Sequence, residues 1–154
     1  MEIEKNVTLP GTPEQVWALL LDPAVMGDCV PGMESIEVVS DVEYVAVMKV
    51  KFSFISAKFK LRTKIVEQHP PTFLRSEGTG EDAAVASSLK QRSDISLAAV
   101  EGGTALGMKV KVEILGRLGT FGLSAVKTKA DRLWDEFCAN LGSRLAPSQA
   151  QAAG

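Results

Sequence analysis

Histidine and cysteine are scarce in this chain, which limits the chemistry that it can carry. His69 is the only histidine and stands in a proline-rich turn, while the two cysteines, Cys29 and Cys138, lie far apart in the sequence. Neither the ligand spacing of a zinc site nor a disulfide framework is present. The sequence pattern of a nucleophile elbow is missing as well. We therefore predict no metal site and no catalytic residues.

Long apolar runs and an excess of one charge are also absent. No uncharged apolar stretch approaches the ~20 residues that cross a bilayer, and the N-terminus lacks the pattern of a signal peptide. The formal net charge of -2 gives no support to nucleic acid binding. With 154 residues, 45% of them hydrophobic and 23% charged, the chain is typical of one soluble domain. We expect that domain in the cytoplasm.

Strand patterns occupy most of the chain. A first strand is predicted over residues 2–9, after which Thr12 as N-cap and Pro13 at the first helical position begin a short helix to about residue 21. One further helical turn is predicted over 24–30. Six more strands follow, at 33–40, 43–54, 57–67, 72–80, 85–98 and 104–115. Because the links between them are short, the seven strands should form an antiparallel sheet.

One long helix is predicted after the strands, over about residues 119–145. Its apolar residues recur at spacings of three and four and form a single stripe, which consists of Val126, Ala130, Leu133, Trp134, Phe137, Cys138, Leu141 and Leu145. Such a stripe must be buried against the sheet, so we predict an α+β domain over residues 1–145. Residues 146–154 have the composition of a disordered tail.

The predicted strands separate apolar from basic side chains by strict alternation. One face carries residues such as Met48 and Phe59, and the other carries Lys49, Lys51, Lys58, Lys60, Arg62, Lys64, Lys90, Arg92, Lys109 and Lys111. This basic face could be an ordinary solvated surface, or it could contact an acidic partner or anionic lipid. Exposed aromatic residues between the basic ones are missing, so we predict no nucleic acid partner.

Four segments, in their order along the chain, resemble a known family. They are LPGTPEQVWALLLDP, VPGMESIE, VKFSFISAKFKLRTKI and GRLGTFGLSAVKTKADRLWDEFCANL. Together they resemble the G-subunit family of carbon monoxide dehydrogenase, within the START-like helix-grip (SRPBCC) superfamily, over residues 1–145. The family typically has a cysteine where this chain has Met33, which weakens any role that depends on that cysteine.

The resemblance implies both a fold and a role. It implies a curved seven-stranded antiparallel sheet that grips the C-terminal helix, two short helices after the first strand, and a hydrophobic cavity. It also implies an accessory protein of a molybdenum-containing hydroxylase of the carbon monoxide dehydrogenase type, which links that enzyme to the membrane and its quinone pool. Since the sequence ends at Gly154, we expect any membrane contact to be peripheral, at the inner face of the cell membrane.

Apolar residues expected on the concave side of the sheet are candidates for contact with a hydrophobic ligand. They are Met26, Val30, Met33, Met48, Phe52, Phe54, Phe59, Phe73, Met108, Val110, Leu118, Phe121 and Val126. Methionine and phenylalanine are bulky and adaptable, which suits a bound quinone or another hydrophobic small molecule, although ordinary core packing explains each residue taken singly. Along the helix we expect a packed clamp over 130–145, where Phe137→Ala should destabilise by about 3–5 kcal/mol, and a gate over 116–126.

Three functions remain open from the sequence. The preferred one is a non-enzymatic protein that binds a hydrophobic ligand, without a covalent cofactor, for the hydroxylase. A START-like cyclase or hydrolase would be favoured by a buried polar cluster in the cavity. An assembly factor that binds no ligand would be favoured by a filled core.

Overall fold

The computed structural model describes residues 2–52, 55–82, 87–116 and 123–153, with the side chains of 52, 55, 123–124 and 146–153 left out. The predicted α+β architecture is confirmed. Its elements in chain order are β1 (Glu2–Leu9), α1 (Pro13–Leu20), α2 (Pro23–Cys29), β2 (Met33–Val38), β3 (Glu43–Phe52), β4 (Ile55–His69), β5 (Phe73–Asp82), β6 (Ser87–Val100), β7 (Gly103–Gly116) and α3 (Leu123–Ala153).

The strands form one seven-stranded antiparallel sheet in the order β1-β7-β6-β5-β4-β3-β2. Strands β2 to β7 pair with their neighbours along the chain, whereas β1 joins the far edge, where Ile3 lies opposite Val110. Register shifts interrupt the ladder between Met33 and Ser35 and between Ile65 and Glu67. Such irregularities bend a strand, which helps a sheet to curve around a helix.

The first short helix begins as the sequence predicts, and the second begins at Pro23, one residue before the predicted start. The Thr12 hydroxyl accepts a hydrogen bond from the Gln15 backbone N–H (3.2 Å), and the Gln15 side chain accepts one from the Thr12 N–H (2.8 Å). This capping box satisfies donors that would otherwise lack a partner at the start of α1. Asp22 caps α2 by accepting from the Ala24 N–H at 2.9 Å.

Helix α3 lies against the inner face of the sheet and is tied to α2. The Asn140 amide donates to the Cys29 carbonyl oxygen (2.9 Å), and Arg144 Nη2 lies 2.6 Å from Asp28 Oδ2. The helix continues through residues 146–153, where the sequence predicts a disordered tail. Alanine and glutamine, which are frequent in this stretch, have high helix propensity.

The inner face of the sheet carries two separate apolar clusters. The larger one, the main core, contains Leu9, Val16, Trp17, Leu20, Val25, Cys29, Ile65, Leu74, Leu97, Leu106, Trp134, Cys138, Leu141 and Leu145. The smaller one, the second cluster, has buried Ala57 and Phe59 with Val50, Leu61, Leu89, Ile114 and Val126 packed around them. Among the described residues, α1 and α2 contribute to the main core, whereas α3 is the helix that contributes Val126 to the second cluster.

Candidate ligand pocket

A cavity of about 310 Å³ lies between the sheet and the N-terminal half of α3. Strands β3, β4, β5, β6 and β7 contribute its floor, and α3 contributes its roof. Its apolar lining consists of Met48, Val50, Phe59, Leu61, Leu89, Val110, Val112, Ile114, Val126, Ala130 and Leu133. Many of these side chains are only half-buried although they face inward, because α3 does not fill the space above them.

Two inward-facing glycines on β5 shape the pocket floor. A Cβ atom at Gly80 would lie 2.5 Å from Leu61 Cδ2 and 3.2 Å from Leu89 Cγ, so these two leucines occupy the space that a side chain would need. A Cβ atom at Gly78 would lie 2.8 Å from Gln91 Nε2. Neighbouring side chains therefore lie low over β5, which leaves room above them for a ligand.

Polar groups in the pocket are few. Among the described residues, the lining includes the polar side chains of Thr63, Thr79, Gln91 and Lys129 and no carboxylate. Nearby, Lys5 and Asp131 form an ion pair between β1 and α3, with Lys5 Nζ 2.9 Å from Asp131 Oδ1. The pocket can thus hold an apolar molecule that carries a small number of hydrogen-bonding groups.

The structure separates the residues that the sequence nominates for ligand contact. Met48, Phe59, Val110 and Val126 lie together in the pocket lining. The other described candidates lie elsewhere: Met26 and Met108 pack against the main core, Val30 caps α2, Met33 lies in β2 and Phe73 lies beneath the Arg75 guanidinium. Phe54, Leu118, Phe121 and the side chain of Phe52 are outside the described residues.

Several lining residues did not appear among the sequence candidates. The apolar ones are Val50, Leu61, Leu89, Val112, Ile114, Ala130 and Leu133. Their signal was present in the same period-two and helical patterns, but the candidate set favoured methionine and phenylalanine. Thr63 and Gln91 were missed for another reason: a polar residue at an inward position is visible only once the strand register is known.

The basic residues of the outer face are exposed, but carboxylates alternate with most of them. Across β4 to β7 the register puts Glu77 between Lys64 and Arg92, and it puts Glu113 opposite Lys90. At the β1 edge, Lys109 and Lys111 face Glu4 and Glu2. The outer face is therefore of mixed charge over these strands, which the sequence alone could not reveal because cross-strand partners depend on register.

The exception is a group of four lysines on β3 and β4, the lysine cluster: Lys49, Lys51, Lys58 and Lys60. Lys49 and Lys58 lie directly opposite each other, an arrangement of like charges that weakens a sheet. Lys58 Nζ lies 3.0 Å from Glu34 Oε2, and Lys60 lies opposite Glu81. Both lysines are exposed, so these pairings add little stability.

The sequence's only histidine belongs to a network of charged side chains on the outer face of the sheet. His69 Nε2 lies 2.9 Å from Glu67 Oε2, and Arg75 hydrogen-bonds both carboxylate oxygens of Asp94 (2.7 and 3.1 Å). The hydrogen bond from Arg75 holds the pKa of Asp94 below its usual value. These contacts account for His69 as a surface residue in an ion-pair network.

Neither cysteine is placed for chemistry. Cys29 and Cys138 are buried free thiols in the main core, and burial raises the pKa of Cys138 to about 11. A thiol with this pKa is protonated at neutral pH and is a poor nucleophile. Within the described ranges, no three His, Cys, Asp or Glu side chains come together as metal ligands.

The helices in the described part of the chain include none with the length and apolar character needed to span a bilayer.

Comparison with known proteins assigns this chain to a family. The family model for the G subunit of carbon monoxide dehydrogenase (CoxG) matches residues 6–146. A conserved protein from Geobacillus kaustophilus has a similar structure, with a TM-score of 0.89 and 21% identity over 96% of this chain and 97% of that one. A START superfamily protein from Mycobacterium smegmatis has a TM-score of 0.71 and 13% identity over 95% and 97%. At these identities the likeness shows the fold. A search of curated proteins found no match.

Proposed function

Because this chain belongs to the CoxG family of carbon monoxide dehydrogenase, we propose that it is a non-enzymatic accessory protein that holds a lipophilic quinone. Its client is a molybdenum-containing hydroxylase of the carbon monoxide dehydrogenase type, which it links to the membrane quinone pool. The observation that carries this proposal is the unfilled apolar pocket under α3.

The size and lining of the pocket support a ligand of this kind. Its volume of about 310 Å³ is near the lower end of the range of about 300–1,000 Å³ for small-molecule sites. That space suits the ring of a quinone, with the isoprenoid tail directed along the apolar residues of β7 and α3. The described lining residues include few polar side chains and no carboxylate, so a neutral, mostly hydrocarbon molecule is desolvated there at little cost.

The same observations argue against the other two functions. A cyclase or hydrolase would be favoured by a buried polar cluster at the ligand, whereas the described lining is mostly apolar and places no histidine, cysteine or carboxylate beside Thr63 and Lys129. An assembly factor that binds no ligand would have no use for a cavity, and an unfilled apolar space reduces stability.

The lysine cluster supports peripheral contact with a membrane. Lys49, Lys51, Lys58 and Lys60 lie on the outer side of the strands whose inner side forms part of the pocket. Each basic residue near an anionic surface contributes about 1 kcal/mol of attraction. The end of the domain that holds the ligand would then be the end nearest the lipid from which the ligand comes.

Ligand binding is tested by solvent extraction of the purified protein followed by titration with a soluble quinone, with tryptophan fluorescence as the signal. Saturable binding is expected, and Ala130→Phe should weaken it at least tenfold because a phenyl ring would enter the pocket. Ala139→Phe is the matched control on an exposed position of the same helix. If the quinone shows no saturable binding to the unsubstituted protein, the proposed ligand role is wrong.

Membrane contact is tested by sedimentation with vesicles that contain anionic phospholipid. Binding should occur at low salt, weaken as salt is added, and be lost in Lys49→Glu/Lys51→Glu. Lys127→Glu/Arg132→Glu on α3 changes the net charge equally at exposed positions and should retain more binding. No binding at low salt, or equal loss in the two variants, would remove the lysine cluster from the proposal.

A further inference from the structure

We propose that Gln91, together with Thr63, is the specificity-determining residue of the pocket and selects ligands that carry a carbonyl oxygen. The inference rests on the proposed function, since it concerns which hydrophobic molecules the pocket accepts. It goes further by assigning a hydrogen-bonding site within the apolar lining.

The position of Gln91 is unusual for its residue type. It lies on the inner face of β6, between Gly78 of β5 and Val112 of β7, and its inward-facing neighbour along the strand is Leu89. Gln91 is half-buried, so it loses part of its hydration unless a partner replaces the water. An apolar residue would satisfy the alternation of β6 better, so core packing does not explain the glutamine.

Gly78 brings the amide close to a second polar group. A Cβ atom at Gly78 would lie 2.8 Å from Gln91 Nε2 and 3.2 Å from Thr63 Oγ1. Both polar side-chain atoms therefore lie beside the position of the missing Cβ, together with the Arg62 carbonyl oxygen at 3.1 Å, and both residues line the pocket. The amide and the hydroxyl can each donate a hydrogen bond, so an oxygen atom above Gly78 could receive two.

Within the described residues, neither the Gln91 amide nor the Thr63 hydroxyl has a hydrogen-bond partner in the protein. The next inward pair on the same strands differs, since Ser76 Oγ and Ser93 Oγ hydrogen-bond each other at 2.6 Å. The polar groups deeper along β5 and β6 are thus paired, whereas those that face the pocket keep their hydrogen-bonding capacity. A ligand in the pocket could accept hydrogen bonds from these groups.

The chemistry of the lining restricts that ligand to one with an acceptor. In the described part of the lining, Lys129 is the only charged residue and no carboxylate faces the pocket, so a cationic ligand finds no counter-ion there. A pure hydrocarbon would cover the amide and leave its donors unpaired. A carbonyl oxygen satisfies them, and a site built around a hydrogen bond discriminates against the analogue that lacks it.

Two probes of the same ring system test the inference: 2-methyl-1,4-naphthoquinone and 2-methylnaphthalene, which lacks both oxygens. Each is titrated against the protein loaded with the neutral fluorescent dye N-phenyl-1-naphthylamine. The quinone is expected to displace the dye at a concentration at least tenfold lower than the hydrocarbon. Gln91→Leu should remove most of that preference by weakening only the quinone, and Thr63→Val, which keeps the side-chain shape, should remove a smaller part.

Gln68→Leu is the matched control, because Gln68 is exposed on β4 and should leave both affinities unchanged. If Gln91→Leu does not fold, Thr63→Val alone decides the question. If neither probe nor the dye binds the unsubstituted protein, the proposed function itself fails. If both probes bind equally, or if the substitutions weaken both to the same extent, the pocket role stands and the assignment of Gln91 and Thr63 is overturned.

Discussion

The inner face of the sheet has two halves in which apolar side chains alternate along the strands in the same way. The space above the main core is filled by helices, whereas the space above the second cluster contains the pocket. In the main core, Leu106 and Leu141 are 1% and 0% exposed, because α1, α2 and the C-terminal half of α3 all pack there. In the part of the chain that the structure describes, α3 is the element that covers the second cluster, and residues such as Val112 stay half-buried. The pocket lies where fewer described elements cover the sheet, and where Gly78 and Gly80 carry no side chain to fill the space.

This difference predicts that truncations in the two halves act on different properties. Leu141→Ala in the main core should lower the free energy of unfolding by about 2–5 kcal/mol, because its fully buried site would be left as a cavity. Ile114→Ala beside the pocket should cost much less, since its side chain already borders open space. Denaturation with urea measures both. Equal losses in the two variants would contradict the division into a filled and an unfilled half.

Phe137 gives a correction within the main core. The sequence assigns it a cost of about 3–5 kcal/mol on truncation, but its side chain is half-buried and packs at the margin of the main core, beside Trp134 at a ring-centroid distance of 5.9 Å. Its helical position fits the apolar stripe, while part of the residue remains exposed to solvent. We therefore expect Phe137→Ala to be milder than Leu141→Ala in the same urea experiment.

Adding a methyl group to the pocket floor should affect ligand binding more than it affects stability. Gly80→Ala would place a Cβ atom 2.5 Å from Leu61 Cδ2, which is the end of a flexible side chain and can turn into the pocket. Stability should fall by only about 1 kcal/mol, while quinone affinity should fall several-fold because Leu61 takes ligand space. Gly32→Ala is the contrasting control, since its Cβ would meet the Lys49 carbonyl oxygen at a position with φ of +82°. If Gly80→Ala destabilises as much as Gly32→Ala and binding is unchanged, the pocket floor is rigid.

The sequence predicted the fold well because each signal for it is local. Period-two alternation identified all seven strands, with limits such as 104–115 against the observed Gly103–Gly116, and Thr12 marked the start of α1. The pocket depends on contacts that no local pattern contains. Leu74 is buried and Leu61 is half-buried because of where the helices pack on the sheet. Likewise, Lys64 lies opposite Glu77 because of the strand register.

The ion pair of Arg75 and Asp94, on the outer face of the strands that carry the main core, can be tested by its effect on stability as pH falls. There Arg75 holds the pKa of Asp94 below its ordinary value, so the pair stabilises the fold above the pKa that Asp94 has when unfolded. That contribution should disappear as pH falls through the lowered pKa, roughly between pH 4 and the acid limit of folding. Urea midpoints from pH 6 to pH 3 should decline less in Asp94→Asn than in the unsubstituted protein. Identical slopes would mean that the pair contributes nothing measurable.

The smallest effect concerns the two thiols, which report on the filled half without altering it. Cys29 and Cys138 are buried, and burial raises the pKa of Cys138 to about 11, so at pH 8 both should react with iodoacetamide only when the main core opens. A third thiol introduced by Val126→Cys borders the pocket and should be modified far faster. Mass spectrometry counts the adducts over time. Urea below the unfolding midpoint should accelerate the native thiols more than the introduced one, because only the native thiols require the main core to open before they react.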